Sequence, residues 1–462
     1  MENAIILAGG MGKRMNSLKP KVLLEVLGKP MLKWVTDACQ NAGVERICVV
    51  KGYGAEQIDE FLGGSFETAY QAERLGTGHA VMCCEEFLEK YPEGHTFIAC
   101  GDAPFTDFKT IRAAYEFHKA SSAAVTVITA ELNEPKGYGR ILRTKDGISG
   151  IVEEKDCSEN ERRIKEINSG CYWFRTADLL EVLPKLDRNN AQGEYYLTDT
   201  IGLLLRDGKR ATAFKTDNQD AVLGANDRKG LLKLNDIARM RVIEKHLNAG
   251  VEFITTDGIV ISPDVTIKAG AKILPNTILM GNTFIGASVI GPNSRLIDTV
   301  VGDNSVLDNV LACEAVVGDN ANIGPFVQLR KGSVIKDYVH IGDFVEIKNS
   351  VIGKGTSVSH LTYLGDSDVG KNVNFGCGTV TVNYDGTNKS RCTIGDNAFI
   401  GCNTNLVAPV TVGNAAYTAA GSTITKDVPD GSLAIERGQQ VIKPNYSAKK
   451  LTRHLEKGKK FD

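Results

Sequence analysis

Three groups of residues have side chains and spacings suited to chemistry. The stretch LAGGMGKRMNSLKPK, residues 7–21, sets Gly9, Gly10 and Gly12 beside Arg14 and Lys21. Glycines let backbone N–H groups approach an anion closely, and the two cations add fixed charge, so the pattern suits a phosphate chain. It is not a Walker sequence, because no G-K-[ST] closes it, nor a dinucleotide G-x-G-x-x-G. Asp102 follows the apolar run TFIAC, and AVLGAND supplies Asn226. Hard oxygen donors at strand ends suit Mg²⁺, which takes one or two protein ligands and leaves its other positions to phosphate and water. A helix-capping aspartate is the plainer alternative for Asp102. Far along the chain, VSHLTYLGDSDVG carries His360 with Tyr363 three residues on, while Arg330, Lys348 and Lys389 recur in segments expected beside it. Neutral imidazole can take a proton near neutral pH. Cations around it suit a phosphorylated substrate whose ammonium must be deprotonated. A surface histidine without a role is the plainer alternative here.

The elements that must hold these groups fall into two architectures. Up to about residue 226 short apolar strands alternate with helices: NAIILA, then a helix from Met31 to Gly43, then RICVV, EQIDEFLG, TFIAC, IRAAYEFHKA and AVTVITA. Such alternation predicts a mainly parallel sheet with helices on both faces. GRILRTKDGISGIVEE reads as a hairpin, so the sheet is expected to be mixed. Met31, Trp34, Val35, Ala38 and Ala42 are expected on the buried face of the first helix. Residues 227–249 read as one connecting helix, capped by Asp227 and ended by Gly250, with Leu232, Ile237, Met240, Ile243 and Leu247 as an apolar stripe. The expected domains are therefore 1–226, a linker helix at 227–250, and 251–462.

From about residue 251 an aliphatic residue recurs every six positions: Val317, Ile323, Leu329, Ile335, Ile341 and Ile347, and later Ile394, Ile400, Leu406, Val412, Thr418 and Ile424. Neither a helix nor a flat sheet has that period; a parallel β-helix of hexapeptide repeats does. Glycine and asparagine in IGDN, VGDN and IGKG supply its corners. On this beat Val358 points inward and His360 outward. NYDGTNK, residues 383–389, interrupts the repeat, as a binding loop would.

Bulk properties narrow the function classes. With 462 residues, 42% hydrophobic and 24% charged, the chain has the balance of a globular protein of two or three domains. A net charge of −2 gives no reason to expect nucleic acid as a partner. No apolar run approaches the roughly 18 residues of a membrane span, and the N-terminus does not read as a secretory signal. The 11 cysteines form no C-x-x-C pair and read as reduced thiols, which suits the cytoplasm.

The loop at 7–21 resembles the L-x-x-G-x-G-x-R-M…K-P-K signature of sugar-1-phosphate nucleotidyltransferases. With QAERLGTGHA, YGR, GIVEEKD, EINSG and AQGEYYLTD, and with SHLTYLGD, NVNFGCG and NYDGTNK downstream, the chain is similar along nearly its whole length to one bacterial family. Its members are bifunctional N-acetylglucosamine-1-phosphate uridyltransferase/glucosamine-1-phosphate acetyltransferases. The resemblance implies that Leu7, Ala8, Gly9, Gly10, Lys21, Gln71, Gly76 and Thr77 hold UTP, that Asp102 and Asn226 bind Mg²⁺, and that Gly139, Glu153 and Asn168 contact the acetylated sugar. It implies that Lys21 and Arg14 neutralise charge during uridylyl transfer and that His360 is the general base of acetyl transfer. Arg330, Lys348, Tyr363, Asn374 and Lys389 would hold glucosamine-1-phosphate. Cys377, Asn383, Tyr384, Cys402, Ala420 and Arg437 would meet acetyl-CoA. The same resemblance implies a left-handed β-helix and a homotrimer with acetyl sites between subunits.

Three positions depart from the usual family pattern: Gly9 for alanine, Cys377 for alanine and Cys402 for serine. Two other readings stay open on sequence alone. One is a monofunctional sugar-1-phosphate nucleotidyltransferase whose β-helix serves regulation or assembly. The other is a non-enzymatic phosphosugar-binding scaffold.

Overall fold

The computed structural model describes residues 2–145 and 147–457. It divides into two compact units, residues 1–242 and 243–462. In the first, a nine-stranded sheet runs from edge to edge through Ala211–Lys215, Val125–Glu131, Glu166–Arg175, His95–Cys100, Glu2–Leu7, Arg46–Lys51 and Glu67–Tyr70. All neighbours along this path are parallel except Glu166–Arg175, which is antiparallel to both of its neighbours. Arg140–Thr144 and Gly147–Val152 form the expected hairpin on its flank. Alternation along the central strand sends Ile5 to one face, with Ile98 and Leu204, and Ala4 and Ile6 to the other, with Leu32 and Val35. Both faces are covered by helices, so the strand is buried on both sides.

The helix Met31–Asn41 buries Met31, Leu32, Val35, Thr36 and Cys39. The expected face is therefore rotated: Trp34 and Ala38 are only partly buried, because the sheet presses on the Leu32–Val35–Cys39 side. The connecting helix spans Arg228–Asn248, with Asp227 Oδ1 accepting from Gly230 N at 2.8 Å as its cap. Of its expected stripe Ile243 is buried and Ile237 partly so, but the rest is not. Leu234, Ala238, Val242 and Ile243 are buried, while Leu232, Met240 and Leu247 are exposed. A helix packed along one side buries residues four apart, and the wider stripe reaches around to solvent.

The second unit is a three-sided prism of parallel sheets with 11, 10 and 9 strands, each strand two to four residues long. Successive strands enter successive sheets, so each coil stacks on the last. Ile323 pairs with Ile341, Ile341 with Val358, and Val358 with Phe375. Every residue of the six-residue beat from Val317 to Ile347 and from Ile394 to Ile424 is buried. The coil that pairs Val369 with Ile394 is lengthened by the excursion at residues 383–391. Asn304, Asn320, Gly355 and Asn397 turn corners with positive φ, as the repeat motif implies. One corner differs. Where Asn276, Asn293 and Asn309 stand in early coils, Phe326, Phe344 and Leu361 hold φ of 59, 58 and 42°. That conformation is costly for bulky residues. Residues 458–462, the end of the basic tail, lie outside the described residues. Among those described, no helix is long and apolar enough to cross a membrane.

Candidate active sites

In the α/β unit the central strand Glu2–Leu7 delivers the glycine loop to the C-terminal edge of the sheet. Here a cleft of about 450 Å³ opens. Leu7, Gly9, Gly10, Arg14, Lys21, Gln71, Gly76, Thr77, Asp102 and Asn226 all line it. Ala8 is buried behind the loop, its N–H donated to Val50 O at 2.8 Å, and lines nothing. Two glycines are sterically required. A Cβ on Gly12, at φ 59°, would meet Lys21 Cβ at 2.8 Å, and one on Gly76, at φ 111°, would meet Tyr195 O at 2.5 Å. At Gly9 a methyl group would stand 2.9 Å from Gln71 Oε1. Glycine here accommodates a Gln71 side chain that donates to Gly76 O at 3.0 Å.

Lys21 is ion-paired with Asp102 and donates to Asn226 Oδ1 at 2.8 Å. Ala225 N also donates to Asp102 O, at 3.3 Å. Asn226 stands not at the expected strand end but in a loop after the 3-10 turn Gln219–Val222, and this bond ties that loop to the end of His95–Cys100. The carboxylate and the amide oxygen thus converge on a single positive charge. That donor set fits a hard divalent cation using one carboxylate and one amide oxygen.

Beside the cleft, Gly139, Glu153 and Asn168 meet. A Cβ on Gly139 would lie 3.5 Å from both Asn168 Cβ and Glu153 Oε1, and Asn168 N donates to Gly139 O at 2.9 Å. Burial pushes the Glu153 carboxyl up, offset in part by a hydrogen bond from Thr198 at 3.4 Å.

On the prism, His360 ends the strand Ser357–His360 at the corner that carries Leu361. It faces outward, 60% exposed, and Nδ1 lies 3.0 Å from Asp343 Oδ1. The register continues that column. Phe375 pairs with Ile400 and Ile400 with Thr418. Two residues beyond each lie Cys377, Cys402 and Ala420, on consecutive coils. Arg437 lies past them, its Cδ 4.0 Å from where a Cβ on Gly421 would be.

The adjoining face carries Tyr363, in register with Glu346, and ends at Lys348, in register with Gly365. Arg330 donates to Glu346 Oε1 at 2.8 Å. The Lys389 ammonium on the excursion loop holds Lys348 below the ordinary lysine value. Asn383 donates to Asp366 Oδ2 at 2.5 Å, and Tyr384 donates to Gly386 O at 2.6 Å within the loop. Asn374 is not brought to this group. It pairs with Ser357 and Phe399 on the preceding face of the prism.

Sequence reasoning missed four groups. Arg74 and Glu194 line the nucleotide cleft, and both stand inside segments quoted for the resemblance. Asp366 is a hub beneath Asn349 and Asn383. Burial alone would raise its carboxyl, but those two hydrogen bonds and the nearby Lys348 and Lys389 hold it low. Asp343 was legible from the coil period, because it stands one coil before His360.

The comparisons with known proteins follow this division. Residues 3–225 match the model described as Nucleotidyl transferase. Residues 254–363 match the GMPPB C-terminal domain, and 391–426 match the bacterial transferase hexapeptide (six repeats). The second unit is a left-handed parallel β-helix of that kind, as expected. "Bifunctional protein GlmU" of Acetivibrio thermocellus is 48% identical over 449 residues, covering 97% of this chain and 97% of that protein. The protein of the same name from Geobacillus sp. (strain WCH70) is 47% identical, covering 96% of this chain and 97% of its own. That of Caldanaerobacter subterraneus is 48% identical, covering 97% and 98%. The similarity runs through both units and carries both transferase modules, and the chain belongs to the family of bifunctional GlmU proteins.

Proposed function

We propose that residues 251–462 acetylate glucosamine-1-phosphate from acetyl-CoA, and that residues 1–226 then transfer uridylyl from UTP to the N-acetylglucosamine-1-phosphate formed. The products are UDP-N-acetylglucosamine and pyrophosphate, and residues 227–250 link the two parts. The observation that carries this reading is the pair of unlike constellations. A glycine-lined cleft with Lys21 converging on Asp102 and Asn226 stands in one unit. An outward His360 bonded to Asp343 stands in the other.

In the acetyl step, His360 Nε2 takes a proton from the sugar ammonium. The freed amine attacks the thioester carbonyl and the C–S bond breaks. The leaving CoA thiolate recovers that proton from the imidazolium, and the second proton of the attacking nitrogen is released to water. A base of this kind contributes about 10²–10⁴ in rate. Arg330, Lys348, Tyr363 and Lys389 hold the sugar phosphate, and Cys377, Cys402, Ala420 and Arg437 follow acetyl-CoA along the corner with Asn383 and Tyr384 of the loop.

In the uridylyl step a sugar-phosphate oxygen attacks the α-phosphorus of UTP in line and pyrophosphate leaves. Backbone groups of Leu7, Gly9 and Gly10 cradle the phosphates, with Ala8 holding the loop from behind; Gln71, Gly76 and Thr77 face the uridine end; and Gly139, Glu153 and Asn168 receive the acetylated sugar. Arg14 and Lys21 meet the charge that develops. Asp102 and Asn226 are the residues that would hold Mg²⁺, which when bound supplies further neutralisation of the phosphate oxygens. Lys21, which otherwise rests on the Asp102 and Asn226 oxygens, would then be free to meet the nucleotide phosphates.

The working form is a homotrimer through the β-helix. Asn374 sits on a different face of the prism from Tyr363, which favours a site completed by a second chain. Phe326, Phe344 and Leu361 add an exposed apolar ridge, the two phenyl rings stacked at 5.3 Å. Light scattering should give three times the chain mass, and a monomer active in acetyl transfer would refute the arrangement. All 11 cysteines are free thiols, which suits the cytoplasm.

One assay tests the whole reading: glucosamine-1-phosphate, acetyl-CoA, UTP and Mg²⁺ together, with products identified by mass. UDP-N-acetylglucosamine is expected, and leaving out acetyl-CoA should stop its formation unless N-acetylglucosamine-1-phosphate is supplied. A chain that needs the acetylated sugar even with acetyl-CoA present would be the monofunctional enzyme.

A further inference from the structure

The imidazole that carries the acetyl step has a partner to which nothing so far gives a role in the reaction. Asp343 stands one rung below His360 in the parallel register, and their side chains leave the same corner. Asp343 Oδ1 lies 3.0 Å from Nδ1. The backbone repeats the link, Leu361 N donating to Asp343 O at 3.0 Å, and Thr362 Oγ1 donates to His360 O at 2.7 Å. The rung is therefore fixed on both sides of the histidine.

Stability does not explain the contact. The two side chains are 60% and 43% exposed, and ion pairs in water contribute little. Geometry offers a better reason. Which nitrogen of a neutral histidine carries the proton is set by the hydrogen bond the other makes. A carboxylate can only accept, so Nδ1 must donate and Nε2 is left as the acceptor. The two nitrogens point away from each other across the ring. With Nδ1 turned to the preceding coil, Nε2 faces the following coils, where Cys377, Cys402 and Ala420 continue the column.

We propose that Asp343 is the positioning residue of acetyl transfer: it accepts the Nδ1–H of His360 and so presents a bare Nε2 toward the thioester end of the site. The proposal rests on His360 being the base. The Asp343 carboxyl is held below its usual value chiefly by the His360 hydrogen bond, which accords with an acceptor in use. Glu346, on the adjoining face, is engaged by Arg330 at 2.8 Å.

The test compares Asp343→Ala, Asp343→Asn and His360→Ala with the unaltered full-length protein. Asp343→Ala should lower kcat for acetyl transfer about 10–100-fold, the scale on which histidines lose function with their orienting partner. KM for both substrates should stay within about twofold, and uridylyl transfer should be unchanged. In ¹⁵N spectra of histidine-labelled protein, His360 should move from the Nδ1–H form toward the Nε2–H form. Asp343→Asn keeps an acceptor oxygen and should keep both the Nδ1–H form and a kcat within about threefold. Unchanged kcat in Asp343→Ala, a lost kcat with the tautomer unmoved, or an Asn variant behaving like Ala would each overturn the proposal. The underlying reading fails separately, if His360→Ala acetylates at the unaltered rate.

Discussion

The two sites solve the placement of charge in opposite ways. In the α/β unit, segments far apart in sequence fold inward on a concavity, and the central pair is largely shielded, Lys21 at 12% and Asp102 at 23% exposed. On the prism, side chains from neighbouring rungs stand outward, His360 at 60% and Asp343 at 43%. Shielding strengthens every interaction with a phosphate chain, whereas exposure leaves a charge screened by water. The cleft is therefore equipped by one chain. On the proposed reading the corner is walled by substrate and by further subunits, a reading that the exposed Phe326–Phe344 ridge and the separated Asn374 support.

The largest expected effect tests whether the two sites are separate machines. His360→Ala should lower acetyl transfer by about 10²–10⁴ and leave uridylyl transfer from supplied N-acetylglucosamine-1-phosphate nearly intact. Asp102→Ala should abolish the Mg²⁺-dependent uridylyl step and spare acetylation. Rates measured for each half-reaction in each variant form a two-by-two contrast. Loss of both activities in either variant would break the comparison, and so would loss of neither.

The same contrast explains what could be read from the sequence. The prism was almost fully legible, because a strict six-residue beat ties each inward side chain to a position; Val317 through Ile347 are buried as the beat requires. The beat also placed His360 outward. It did not reveal that one corner would carry Phe326, Phe344 and Leu361 in a left-handed conformation, since a corner rule built on glycine and asparagine has no term for a ridge of apolar residues. In the α/β unit the strand end bearing Asp102 was legible from the alternation, whereas AVLGAND, read as another strand end, is a 3-10 turn and loop. The convergence of Lys21 on Asp102 and Asn226 was not legible, because three segments must meet in space for it to exist. The helix faces were misjudged for a related reason. Apolar residues on the connecting helix surround more than one side, and only packing chooses Leu234, Ala238 and Val242 over Leu232 and Met240.

Acid should separate the two units in stability. Burial lowers His118 to about 3, and its Nε2 lies 3.1 Å from Nδ1 of His95, which burial also lowers. The histidines on the prism's coils, His340 and His360, are exposed. A buried histidine that stays neutral when folded stabilises fully above its unfolded value near 6.5, and that contribution is lost as pH falls toward the folded value. At ~1.4 kcal/mol per pKa unit, the loss for His118 is a few kcal/mol. Calorimetry from pH 7 to pH 4 should show the α/β transition falling in temperature faster than the prism transition. His118→Gln, neutral throughout, should flatten that fall. Equal acid sensitivity in the variant would assign it to other groups.

The smallest effect sharpens the comparison at its cations. Lys21 is matched by Asp102 and Asn226, whereas Lys348 stands against Lys389, which holds it below the ordinary lysine value. Two ammonium groups side by side favour a dianion between them, which suits the sugar phosphate of the proposed reading. Lys389→Met should raise KM for glucosamine-1-phosphate about tenfold, the loss of one charge-assisted contact of ~1.4 kcal/mol, with kcat little changed. The sign of the pH effect follows from the repulsion. In the unaltered protein, phosphosugar affinity falls at alkaline pH as Lys348 loses its proton. Without the neighbouring cation Lys348 keeps that proton to higher pH, so the alkaline fall in kcat/KM should move upward in Lys389→Met. An alkaline limb that stays in place would mean that Lys348 does not carry the phosphate. The open face of the prism would then have to find its anion-binding charge in Arg330 or in a neighbouring subunit.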